Sequence, residues 1–114
     1  MNININKVKI VVTIPSRNTK EVREAICNAG AGTIGNYTDC STTTKCIGTF
    51  KPNKKANPYI GKNETLEYVE EDKLEVVCNI NNVKNILAKL REVHPYEEPA
   101  IDIIPLLDEE LFNE

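Results

Sequence analysis

The sequence predicts an α+β fold in the order βαββαβ, an antiparallel sheet carrying two helices on one face. Three observations predict it. Apolar residues alternate with polar ones over 7–14 and again within 66–80, the period-2 mark of strands with one buried face. Each run is followed by apolar residues at helical spacing. The sequence of strand, helix and strand recurs weakly in the two halves of the chain, which is the ferredoxin-like plan.

The first strand places Val8, Ile10, Val12 and Ile14 on one face and Lys7, Lys9 and Thr13 on the other. Pro15-Ser16 ends it. Asn18 or Thr19 can cap the first helix, with Glu21 and Glu24 near its positive end. Val22, Ala25, Ile26 and Ala29 form the helix's buried stripe, and Gly30 stands where a C-terminal cap belongs. Residues 33–37 read as the start of a second strand. Residues 38–63, rich in Thr, Asn, Lys, Pro and Gly, read as a long loop; such loops are usually functional or disordered.

Residues 66–80 read as a strand with Leu74, Val76, Cys78 and Ile80 on one face and Lys73, Glu75 and Asn79 on the other. Asn81 or Asn82 can cap a second helix with the stripe Val83, Ile86, Leu87 and Leu90. Pro95 ends it, because a residue before proline is pushed out of the helical region. Residues 100–107 form the last strand, and Pro105 within it marks an edge or a bulge. An acidic tail over 108–114 is expected to be mobile. Val11, Val77 and Ile104 lie off the helix-facing stripes and are candidates for a subunit interface.

Composition bounds the function. A chain of 114 residues fits one domain over 1–114, large enough for a core without disulfide staples. With 5% aromatics and no Trp, that core must be aliphatic. A formal net charge of -3 argues against a nucleic-acid-binding domain. No basic and apolar leader and no membrane-length apolar run is seen, so a cytoplasmic protein with no membrane partner is expected. Cys27, Cys40, Cys46 and Cys78 are then expected to be reduced and incidental.

Charge is uneven along the chain. Between Ser41 and Asn63 there are five lysines and no acid. Lys45, Lys51, Lys54 and Lys55, with Gly48 and Gly61 permitting close backbone approach, are candidates for holding a small anion. Gly30-Ala31-Gly32-Thr33-Ile34-Gly35 has the letters of a dinucleotide fingerprint. Its context is reversed, with a helix before and a strand after, so it reads as a helix cap and turn.

The segment His94-Pro95-Tyr96-Glu97-Glu98-Pro99 joins the second helix to the last strand. His94 is the only histidine and falls in the last helical turn, where a cation favours the helix dipole. His94, Glu97 and Glu98 are the candidate ligands of a divalent metal, an incomplete set needing water or a neighbouring subunit. Tyr96 joins the lysines as a ligand-binding candidate. The bland reading is a rigid corner whose side chains tie down backbone groups. No catalytic residue is assigned.

The motifs Gly30–Tyr37, Cys40-Ser41, Gly48–Pro52, Pro58–Gly61 and His94–Pro99 occur in that order. The succession resembles the PII/CutA-like module inserted in YqfO proteins of the Nif-three (NGG-one interacting factor three) family, which also carries the name GTP cyclohydrolase I type 2 homologue. The last motif is also similar to CutA divalent-cation tolerance proteins. The resemblance covers about residues 7–107. It implies a ferredoxin-like, self-associating module, with a trimer favoured. In PII proteins such a loop binds nucleotides at its base, and CutA proteins are linked to divalent metals. The parent family's dinuclear metal site belongs to larger flanking domains, so its hydrolase-like description does not pass to a stand-alone module. Cys46 and Ala56 stand where the pattern expects glycine.

The expectation is therefore a non-catalytic, oligomeric binding or regulatory module taking a small anionic ligand or a divalent metal. The alternatives are a metal-assisted hydrolase-type enzyme, for which His94 and Glu97 or Glu98 would have to serve, and a structural protein-interaction module.

Overall fold

The computed structural model describes residues 3–113. Its strands are β1 (Lys7–Pro15), β2 (Thr42–Phe50), β3 (Glu67–Asn79) and β4 (Ile101–Leu106). Its helices are α1 (Thr19–Asn28) and α2 (Val83–Val93). The sheet is antiparallel throughout, in the order β2-β3-β1-β4. In both halves a strand passes through one 3₁₀ turn, Ser16–Asn18 or Ile80–Asn82, into its helix. That shared detail is the repeat expected from the sequence.

The core is aliphatic. Val8, Ile10, Val12 and Ile14 of β1 and Leu74, Val76 and Cys78 of β3 pack against Val22 and Ile26 of α1 and Ile86 and Leu90 of α2. Ile80, expected on that stripe, is exposed because it begins the 3₁₀ turn. Asn18 and Asn82 take the N-cap positions but make no side-chain cap bonds, since the preceding 3₁₀ turns already have helical backbone. Gly30 does follow α1, with φ +113°, a value glycine adopts without strain.

Two expectations are corrected. Residues 33–37 are not a strand: Gly35 (φ 57°) turns the chain tightly so that Ile34 pairs only with Tyr37. The second strand lies inside the segment expected to be loop. Its polar, Thr-rich sequence has no apolar alternation because β2 is an edge strand exposed along most of its length. Its β-branched threonines nevertheless suit extended backbone. The expected acidic tail forms a short 3₁₀ turn, Glu109–Phe112, capped when Asp108 accepts a bond from the Glu110 N–H at 3.0 Å.

β3 has 13 residues and outruns β1, whose pairing stops at Pro15↔Glu71. Beyond that point β2 and β3 continue as a two-stranded ribbon to Phe50↔Glu67. The ribbon leaves Ile47 and Tyr68 62% and 70% exposed. The molecule measures 55 × 30 × 24 Å with a radius of gyration of 16.0 Å, against about 13 Å for a compact chain of this size. Pro105 lies on the edge strand β4, where its missing N–H interrupts no inner ladder.

Candidate functional site

The site begins where α2 ends. His94 has left the helix, with φ −70° and ψ 132°, as a residue before proline must. It is not the expected cation of the last turn: its ring is carried under the sheet's end and the residue is only 5% exposed. There it replaces a missing strand. β4 pairs with β1 only as far as Val12↔Ile101, which leaves the next residue of β1, Thr13, without a partner on β4. The Thr13 carbonyl just past that point accepts from His94 Nε2 at 2.8 Å. The opposite nitrogen, Nδ1, accepts from the Tyr96 N–H at 3.1 Å. These partners fix the neutral tautomer protonated at Nε2. Burial pushes its pKa below the usual 6.5, against the opposing pull of the Thr13 carbonyl and Glu71.

This geometry revises the metal expectation for His94. Both ring nitrogens are engaged with backbone, and no lone pair is left for a cation. Among the described residues, no three His, Cys, Asp or Glu side chains are grouped to hold a metal. Glu97 instead accepts from the Asn57 N–H at 3.3 Å, and Glu98 lines the same opening.

Tyr96 points across the sheet. Its hydroxyl donates to Glu71 Oε2 at 2.7 Å. Its ring lies 5.9 Å from Phe50 and 6.4 Å from Tyr59, centroid to centroid. Burial and the adjacent Glu71 carboxylate raise the Tyr96 pKa well above the usual 10. Glu71, at 4% exposure, lies over Gly48 of the facing strand. A Cβ on residue 48 would overlap Glu71 Oε1. Glycine here admits a carboxylate; the expectation that it admits an anion to the backbone is not what this contact shows.

Residues 51–66 complete the site as an ordered loop. Asn53 accepts from the Lys55 N–H at 2.9 Å, and Asn63 Nδ2 donates to the carbonyls of Lys54 and Ala56, each at 3.1 Å. Arg17 fastens the loop to the body by donating to the Tyr59 hydroxyl at 3.2 Å, with its guanidinium 5.7 Å from that ring's centroid.

Between loop and corner lies a cleft of about 530 Å³. Phe50, Tyr59 and Tyr96 give it aromatic walls, Lys51 and Lys55 line it from the loop, and Glu71, Glu97 and Glu98 line it from the sheet and corner. The structure thus brings together Lys51, Lys55, Tyr96, Glu97 and Glu98 of the expected residues. It leaves Lys45 and Lys54 outside. Lys45 pairs with Asp72 at 3.0 Å, and Lys54 with Glu64 at 3.9 Å. Sequence reasoning missed Glu71, Phe50 and Tyr59. The usable signal was Gly48, since a glycine inside a strand often marks a close approach by another group.

The fold is CutA-like. CutA from Synechococcus elongatus PCC7942 superposes with a TM-score of 0.68 at 11% identity, covering 93% of this chain and 81% of that one. The periplasmic divalent cation tolerance protein CutA from Archaeoglobus fulgidus gives 0.64 at 17% identity, covering 93% and 92%. At such identities the likeness is one of fold.

Sequence narrows the class. A Bacillus cereus protein related to NIF3 superposes with a TM-score of 0.78 at 35% identity, covering 90% of this chain and 26% of that one. The GTP cyclohydrolase 1 type 2 homolog of Halalkalibacterium halodurans is 48% identical over 101 residues, 89% of this chain and 27% of its own. The Bacillus subtilis homolog is 42% identical over 98 residues, 86% and 26%. No family model matches the chain. The chain belongs to the NIF3-related (YqfO) family as its CutA-like module, and spans about a quarter of the length of the curated relatives it matches.

Proposed function

We propose that this chain is a non-catalytic, self-associating binding or regulatory module whose cleft takes a small ligand with an anionic group. The cleft carries this reading: it joins the two segments the sequence singled out, and pairs aromatic walls with Lys51 and Lys55. A concave, largely aromatic and apolar site with a few convergent charges is the usual form of a small-molecule site. Tyr96 is the wall residue and the two lysines the anion-facing residues. The curated relatives are named GTP cyclohydrolase 1 type 2 homologs; in this chain both ring nitrogens of His94 are engaged with backbone.

Self-association is supported by the elongated outline and by the surface. Ile47 and Tyr68 are exposed on the ribbon, and Ile104 is 44% exposed on the sheet face away from the helices. Val11 on that face is already buried within the chain, so of the three interface candidates Ile104 is the one most open to a neighbour. Light scattering on the eluting protein is expected to give a trimer; a monomer at high concentration would refute this part.

Binding is tested by calorimetric titration with ATP, inorganic pyrophosphate and divalent cations. The expected result is heat with an anion, lost when Lys51 and Lys55 are both changed to Ala. No heat with any of these probes contradicts the anionic-ligand reading.

A further inference from the structure

Glu71 and Asp72 are neighbours on β3, equally buried at 4% exposure, and point to opposite faces of the sheet. Asp72 is satisfied by its own chain. Ser16 Oγ donates to it at 3.0 Å and Lys45 Nζ lies 3.0 Å away. Burial alone would raise its pKa, but nearby Thr19, Lys45 and Ser16 and the Lys45 charge hold it below the usual value. Glu71 has no such partner. Among the described residues no Lys, Arg or His nitrogen forms an ion pair with it. Tyr96 donates its hydroxyl to Oε2, and Glu71 lines the cleft. Lys73, two residues along the same face, stands opposite Thr13 and Thr44. Arg17 is engaged with Tyr59.

A carboxylate this buried is normally paired with a cation, because an uncompensated charge out of water is costly. The groups around this one are suited to receive a cation. Tyr59 and Tyr96 present electron-rich rings, and Tyr59 already lies beside one guanidinium, that of Arg17. An ammonium or guanidinium against aromatic rings gains from their quadrupoles, the more so when desolvated. Glu97 and Glu98 add negative charge to the lining of the same cleft.

We infer that the cleft's ligand carries an organic cation, an ammonium or guanidinium group, held by the Glu71 carboxylate against the exposed edge of the Tyr59 and Tyr96 pair. This deepens the binding reading above and rests on it: Lys51 and Lys55 meet the ligand's acidic group and Glu71 its basic group.

The test uses the full chain with agmatine as the cationic probe and pyrophosphate as the anionic one, followed by calorimetry. Agmatine is expected to bind. Glu71→Gln keeps the side chain's shape and an acceptor for Tyr96, and is expected to weaken agmatine about tenfold, the scale of one lost charge-assisted bond. Pyrophosphate affinity should fall little or rise. Tyr59→Leu, at an exposed position that leaves the core untouched, should weaken agmatine about two- to fivefold and serves if the Gln variant does not fold.

Pyrophosphate binding without agmatine binding overturns the cation site and leaves the binding module standing. No binding of either probe overturns both. Agmatine binding unchanged in both variants overturns the assignment to Glu71 and the rings. If wild-type protein ignores agmatine and Glu71→Gln instead alters the oligomer, the cation belongs to a second copy of the chain and the small-ligand inference fails.

Discussion

The two faces of the sheet are held by different physics. On the helix side, Ile10, Leu74, Val22, Ile26, Ile86 and Leu90 are buried in a contiguous aliphatic core. Contacts there are numerous and apolar. On the cleft side, a ribbon and a loop are held by single polar and aromatic contacts: His94 on Thr13, Tyr96 on Glu71, Glu97 on Asn57 and Arg17 on Tyr59. The first region makes a fold. The second positions charge and rings around a space, and depends on each group keeping its place.

Substitutions should separate the two regions. The largest effect belongs to the core. Leu90→Ala removes a fully buried side chain and should cost about 2–5 kcal/mol in urea unfolding, because a cavity adds to the lost transfer energy. Ligand response of the remaining folded protein should be unchanged. Next comes Gly48→Ala. The new methyl overlaps Glu71 Oε1, so the carboxylate must move and Tyr96 loses its acceptor. Overpacking of this kind costs about 1–3 kcal/mol, and here cleft binding should fall with it. A cost no greater than that of Ala on an exposed strand would mean Glu71 is not seated on Gly48.

The smallest effect is the most specific. His94 has a folded-state pKa below its ordinary 6.5. The unfolded chain therefore takes up the proton first as pH falls. The neutral ring's stabilisation is fully present above about pH 6.5 and is lost progressively below it. Protonation also turns Nδ1 from the acceptor of the Tyr96 N–H into a donor. His94→Gln should cost about 1 kcal/mol near pH 7.5, the scale of one hydrogen bond, and should flatten stability between pH 5 and about 6.5. Asp72, whose pKa lies below 3.8, loses its contribution only at lower pH and does not confuse that window. An unchanged slope in the Gln variant would contradict the buried neutral imidazole.

The legibility of the sequence divides along the same line. β1, β3 and both helices were legible because burying one face forces a period of 2 or 3.6 on the apolar residues. β2 was not, because an edge strand exposed along most of its length imposes no such period, and residues 42–50 read as loop. The corner was legible as a motif, from one histidine followed by a turn that two prolines bracket. The role of that histidine was not: spacing placed it near two carboxylates, whereas the fold turns it inward to a carbonyl 81 positions away in sequence. Glu71 was hidden inside an acidic run. Only pairing in register with Cys46, beside Gly48, distinguishes it from Glu70.

The central claim is that the corner and the 51–66 loop form one ligand cleft. Backbone amide shifts followed by NMR during titration with agmatine and pyrophosphate test it most directly. The account predicts shifts concentrated at residues 49–60, Glu71 and 94–100, with α1 and α2 nearly silent. Shifts spread over the helix face, or none at all at millimolar probe, would contradict it.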